Sequence, residues 1–532
     1  MPDRIRLNED NRKWWTLAAM CFALFMIMLD NTVVNVALPS IQRDLGASLS
    51  SLEWTVNAYT LTFAVLLVTG GRLGDIFGRR KVFLSGVILF AASSALIGLA
   101  PDQAWLVAGR AVQGAGAAFM MPGTLSIISN TFPPAERGRA IGTWAGVSAL
   151  ALALGPAVGG ALTEYVSWRA IFFLNLPVAI GAVIVTLFAV RESRDKTVDR
   201  RVDFAGIGTL SVGLSALVLA LVEGNGWGWG SPEIVIMLII AAVGLTAFVL
   251  VELRGKAPMV QFEFFRSRSF LGANTVAFIV SFAMLAMFFF IALYMQNILH
   301  YSALEAGIRF LPSTVVIIFA APIAGRLADR IGPRIPMTVG LSLAALALYL
   351  QSNLTASSGY GDLLVPFMIM GLGMGLTMSP MSTAAMNSVS PDKAGVASGI
   401  LSMSRMVGGT FGVASIGALF QSLSKDRLAS DLGGTQLTGA QHQHVVDAIG
   451  GGSADQALKG LDPGTAQDVG RAMKDAFVHG LSGSLKLSTA VAAAGAVLAF
   501  FLIEPHVKAR RAASPATADA QAPEPMPERA AA

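Results

Sequence analysis

The chain has 532 residues, 54% hydrophobic and only 13% charged, against about 25% charged in a soluble domain. That deficit excludes an ordinary soluble protein, and Pro and Gly inside long apolar runs argue for a helical membrane bundle rather than a strand-alternating barrel. One cysteine, Cys21, leaves no intrachain disulfide or cysteine-based metal site. Five histidines, of which only His442 and His444 are close in sequence, lack metal-ligand spacing, so neither a metal nor a cofactor is expected.

A membrane-spanning helix needs about 20 apolar residues. Such runs fall at residues 14–38, 54–71, 82–100, 104–128, 139–161, 169–190, 204–223, 233–253, 270–296, 304–327, 335–354, 362–386, 394–420 and 485–503. They are numbered here helix 1 to helix 14. Helix 1 is too long, and too soon followed by other helices, to be a cleaved signal peptide. With the N-terminus inside, 27 of the 38 Lys and Arg residues fall on inward segments and seven on outward ones. The positive-inside rule therefore predicts a multi-pass protein of the cytoplasmic (inner) membrane with both termini cytoplasmic. The net charge of +5 follows from this bias and needs no nucleic-acid partner. Residues 421–484 are expected to form a long external loop, and the tail from 504 to 532 a disordered cytoplasmic segment.

Chemistry-bearing residues appear along the same walk. Helix 1 holds Asp30 and Asn31 inside an apolar run, where a carboxylate is costly enough to be functional by default. Helix 2 carries Asn57, Tyr59 and Phe63, and helix 4 carries Arg110, Gln113, Gly114, Gly116 and Met121. By helix rise, Asp30 and Arg110 sit at depths close enough to meet. The pair is read as a proton-coupling site, the alternative being a permanent ion pair between helices 1 and 4. Gln113, on the same face as Arg110, orients it, touches cargo, or makes a plain interhelical hydrogen bond. The turn after helix 2 reads Gly71-Arg72-Leu73-Gly74-Asp75-Ile76-Phe77-Gly78-Arg79-Arg80-Lys81. Gly78 permits a tight turn, and Asp75 ends helix 2 beside a basic cluster expected to anchor the inner surface. Helix 5 contains Gly155, Pro156, Gly159 and Gly160, a closely packed and deformable seam. After helix 10 the turn recurs as Gly325-Arg326-Leu327-Ala328-Asp329-Arg330-Ile331-Gly332. Met378 on helix 12 is either an adaptable cargo contact or core filler. Arg405 in helix 13 has no mid-membrane acid in helices 9–14 to pair with, which keeps anionic or zwitterionic cargo open.

The repeated turns are eight helices apart, so the plan is six plus two plus six. The expected units are an N-terminal bundle over 1–190, a linker with two inserted helices over 191–253, and a C-terminal bundle over 254–503.

Taken together, the helix 1 stretch Leu29 to Pro39, the two turns, Arg110 to Gly116 and Gly155 to Gly160 resemble the fourteen-helix drug:proton antiporter family of the major facilitator superfamily. The resemblance implies an all-α integral membrane fold with 14 transmembrane helices. It implies a secondary active transporter, not an enzyme, exporting small amphipathic drugs or antibiotics against protons by alternating access. Its expected partners are a small-molecule substrate, the proton and the lipid bilayer. The Gly155–Gly160 stretch resembles the superfamily's antiporter motif, which favours export. A dedicated exporter of an endogenous metabolite, lipid or peptide is the alternative, and a membrane enzyme with its chemistry in the 421–484 loop the remote one.

Overall fold

Helix starts in this chain are written by caps. Asp102 accepts a hydrogen bond from the Trp105 amide, Asp203 from Gly206, Ser231 from Ile234, Ser267 from Phe270, and Asp462 from Gly464 and Thr465. Each satisfies amides that the first helical turn leaves unpaired. The computed structural model describes residues 9–46, 49–194, 203–255, 258, 260–432, 437, 445 and 462–505. Its long helices are α1 (Glu9–Leu45), α2 (Leu49–Phe77), α3 (Arg79–Gly98), α4 (Gln103–Thr131), α5 (Pro134–Tyr165), α6 (Asn175–Ala189) and α7 (Phe204–Trp227). They continue with α8 (Pro232–Arg254), α9 (Arg268–Asn297), α10 (Leu311–Ile331), α11 (Arg334–Gln351), α12 (Tyr360–Asn387), α13 (Ala394–Asp431) and α14 (Pro463–Leu502). A helical turn at Ala170–Phe173 leads into α6, and a short helix, Ala303–Arg309, leads into α10.

Thirteen helices of the described residues are long and apolar enough to cross a membrane. The remaining long helix, α5, has 32 residues and lies between α1 and α10. Within the first half α4 packs on α2 and α3, while α1 packs on α5 and α6; within the second, α12 packs on α10 and α11, and α14 on α9, α11 and α13. The halves meet through two equivalent pairs, α5 with α10 and α2 with α13. The inserted helices pair with each other through Gly213 and Gly244, and α7 covers the α2–α13 seam. There Leu214 and Val218 pack with Ala64, Val65, Met403 and Met406.

Two sequence expectations change. α1 does not stop at Pro39 but continues to Leu45. The stretch 421–484 is not simply a loop: α13 runs to Asp431 and α14 begins at Pro463, so both helices extend far beyond the length a bilayer needs. Leu428, Leu432, Val469, Met473 and Ala476 form a small apolar core between these extensions. Burying that stripe lets a segment too polar to span still fold as helix. Ahead of α10, Arg309 donates to the Glu305 carbonyl at 3.2 Å, within a short helix held by two further local contacts. Glu305 closes a capping box with Ser302, and the Arg309 guanidinium stacks 3.7 Å from the Tyr301 ring. His442, His444, residues 195–202 and the tail from 506 lie outside the described residues.

Candidate functional site

Asp30 is 1% exposed, and both its oxygens are engaged. Arg110 Nη1 donates to Oδ2 at 2.6 Å, while Gln113 Nε2 and Asn175 Nδ2 donate to Oδ1 at 3.0 and 2.9 Å. Arg110 also donates from Nη1 to Gln113 Oε1 at 2.7 Å and from Nε to the Thr55 carbonyl at 3.1 Å. Its guanidinium carbon lies 4.2 Å from the centre of the Tyr59 ring. Ser94 Oγ receives Asn175 Nδ2 at 3.0 Å and Gln113 Nε2 at 3.3 Å, and itself donates to the Phe172 carbonyl at 2.9 Å. One carboxylate thus ties α1, α4 and α6 together, with α2 and α3 in the second layer of contacts. A buried ion pair survives only when its remaining donors and acceptors are also satisfied, which this network achieves.

The sequence pairs Asp30 with Arg110 and places Gln113 beside them. It gives no hint of Ser94 and Asn175, although Asn175 is a polar residue inside an apolar run. Asn31 and Asn57 are partly exposed on the same two helices, whereas Tyr59, Phe63 and Met121 are buried against neighbours. Met378 and Arg405 are partly exposed on α12 and α13.

A second set of contacts closes the face that carries the chain ends, hereafter the terminal face. Asp75 is not at the surface. It is 1% exposed and accepts from the Gly395 and Val396 amides at 3.0 and 2.8 Å, capping the start of α13 in the opposite half. Arg79 holds the carboxylate through Nε at 2.9 Å and Nη2 at 2.7 Å, and reaches the Asp392 carbonyl at 2.5 Å. In the equivalent place Asp329 accepts from the Gly138 and Arg139 amides at 3.0 and 3.2 Å, in the second turn of α5. A carboxylate at a helix N-terminus meets free amides and the positive end of the dipole. The basic cluster is thus partly an interior latch and not only a surface anchor.

Glycines make the approach possible. A Cβ on Gly71 would lie 2.3 Å from the Gly395 carbonyl, and one on Gly325 only 1.9 Å from that of Gly138. Gly78 and Gly332 have φ of 114° and 86°, which side chains rarely adopt. Arg137 Nη1 to Asn387 Oδ1 at 2.9 Å, Asn130 to the Pro391 carbonyl at 3.1 Å and Ser398 to the Pro122 carbonyl at 2.8 Å add further links between halves. In α5 a Cβ on Gly155 would lie 1.8 Å from Thr32 Oγ1, and Gly159 faces Val33, so this stretch packs on α1 right beside Asp30. Pro156 and Gly160 lie in the same unbroken helix.

Two related helical halves, latched to each other at one face and the first of them enclosing a buried carboxylate, are the architecture of a membrane transporter. The family model described as Major Facilitator Superfamily matches residues 20–413, and the chain belongs to that superfamily. It is 35% identical over 92% of its length to the tetracenomycin C resistance and export protein of Streptomyces glaucescens, covering 91% of that protein. It is 38% identical over 76% of its length to the multidrug resistance protein Stp of Mycobacterium tuberculosis, covering 75% of it. Among solved structures it resembles the proton:xylose symporter XylE with a TM-score of 0.61, at 12% identity over 94% of this chain and 98% of that one. The last likeness is one of fold.

Proposed function

We propose that the protein exports small amphipathic compounds across the cytoplasmic membrane in exchange for protons, by alternating access, with its terminal face cytoplasmic. The observation that carries this reading is the fully enclosed Asp30–Arg110–Gln113–Asn175 network within an apolar bundle. The names of the similar proteins, which are antibiotic and multidrug exporters, point the same way. Residues 1–190 and 254–503 act as the two moving halves, and 191–253 supplies the linker and inserted pair.

The latch described above corresponds to the state closed toward the cytoplasm. A carboxylate held by a guanidinium stays charged; separating the two strands an anion in a low-dielectric site, and proton uptake neutralises it. In the proposed cycle Asp30 takes a proton from outside, cargo leaves, and the halves rock, breaking the Asp329 and Asp75 ties to α5 and α13. The proton then departs inward and cytoplasmic cargo enters. With one titratable group at the site, one proton moves per cycle. For a monovalent cation the exchange moves no net charge; for neutral cargo the membrane potential adds about 2.3 kcal/mol per 100 mV.

The test is transport in liposomes under an imposed pH gradient, for the native chain and Asp30→Asn. Coupled movement of a dye or antibiotic by the native chain, lost in the variant, is the expected result. Equal movement by both removes Asp30 from the coupling step.

A further inference from the structure

The face of α13 that meets the first half repeats at helical spacing. Gly395 lies against Gly71 and Asp75, and Ser398 donates to the Pro122 carbonyl. Three turns from the latch, about 15 Å along the axis, the same helix presents Arg405, whose guanidinium carbon lies 5.8 Å from the Trp144 ring of α5. Arg405 therefore sits mid-bundle on the seam between the halves. Its neighbour Ser404 donates to Asn274 Oδ1 of α9 at 3.1 Å, so the polar groups beside it are already paired.

The other buried arginines described above are each held by hydrogen bonds, two of them to a carboxylate. Arg79 has Asp75, Arg110 has Asp30, and Arg137 donates to the Phe132 carbonyl and to Asn387. Arg405 differs from them: Nη2 is enclosed and has no hydrogen-bond partner, and no carboxylate of the described residues lies within ion-pair reach. Asp30 cannot serve, because both its oxygens are taken. An enclosed cation without a counter-charge is unfavourable, and a ring face compensates it only partly. The planar guanidinium fork matches a carboxylate or another compact oxyanion in two parallel hydrogen bonds.

We propose that Arg405 receives an acidic group of the cargo, so that the compounds this chain exports are amphipathic acids or zwitterions rather than lipophilic cations. This rests on the export reading and narrows its substrate class. Sending an anion outward while a proton enters moves two elementary charges in the same electrical sense. Export of a monoanionic cargo is then driven by the membrane potential as well as the pH difference.

The experiment uses the full chain in liposomes with rhodamine B, which has a free carboxylate, and rhodamine B ethyl ester, which has none. The native chain should move the acid with a KM about tenfold or more below that of the ester, the range that a charge-assisted hydrogen-bonded pair provides. Arg405→Gln should abolish this preference while still moving the ester under a pH gradient, and Arg405→Lys should keep part of it. Ligand-induced melting shifts give the same comparison without turnover: rhodamine B should raise the melting temperature of the native chain more than the ester does, and equally little in Arg405→Gln. Parallel loss of both substrates in Arg405→Gln, or native transport of the ester with none of the acid, overturns the proposal and leaves the export reading standing. Failure of the native chain to move or bind either dye overturns both.

Discussion

Asn175 shows how a single uncharged side chain can help to hold a buried carboxylate. Its amide donates to Asp30 Oδ1 and to Ser94, as does that of Gln113. Each donor favours the ionised carboxylate, and leaving one such partner unsatisfied costs about 1–3 kcal/mol. Asn175→Leu and Gln113→Leu are therefore each expected to destabilise the protein by about 1–3 kcal/mol, read as an earlier unfolding midpoint in denaturation. Arg110→Leu is harsher, because it abandons a buried anion, and should destabilise the protein by about 3–5 kcal/mol in denaturation. Asp30→Asn, which keeps hydrogen-bonding capacity, should melt closer to native. The pair itself is legible in the sequence, since a charge in an apolar helix is conspicuous and helix rise fixes its depth. Ser94 and Asn175 are not, because neutral polar residues are common in membrane helices and only the fold brings α3 and α6 to Asp30.

The carboxylate ties between the two halves lie near helix starts. A carboxylate cap is worth about 0.5–2 kcal/mol; Asp75 caps α13, and Asp329 binds amides in the second turn of α5, on the same terminal face. Asp75→Asn should open that face several-fold more often, read as labelling of cysteines placed there in a Cys21→Ser background. Gly325→Val should act more strongly, because its Cβ would collide with the Gly138 carbonyl and no side-chain rotation relieves a backbone clash. Free labelling at the latch in the native chain, as fast as in the variants, would refute this. At the opposite face Asp44 accepts from Trp168 Nε1 at 2.9 Å and Arg169 at 2.5 Å, and those hydrogen bonds hold its carboxyl below its ordinary value of 3.8. A lowered carboxyl stabilises above that ordinary value and is lost only as pH falls through the lowered one. The tie is thus charged at neutral pH, and Asp44→Asn should leave the pH profile of transport unmoved. The sequence shows both turns as a repeat because their glycines and acids are spaced alike. It could not show that Asp75 and Asp329 bind amides near the starts of helices of the other half, since that pairing spans about 320 and 190 residues.

For the whole molecule, helix count and pseudo-repeat follow from apolar run length, while the α13 and α14 extensions do not. Their apolar stripe is too thin for a spanning signal and becomes core only when the two helices lie side by side. Leu428→Asp should unravel that outer pair, seen as new protease sites near residue 430, with the membrane bundle and its melting transition preserved. α13 has 38 residues, about 57 Å of continuous rod. Its first turn is gripped by Asp75, and its length exceeds the roughly 30 Å of a bilayer's hydrocarbon core. A tilt of about 10° about the gripped end would sweep the far end, together with the stretch of α14 packed on it, by about 10 Å. A binder clamping the outer tip would then freeze the inner gate, and the tip's position, measured by paired spin labels, would serve as a pointer to which way the protein faces.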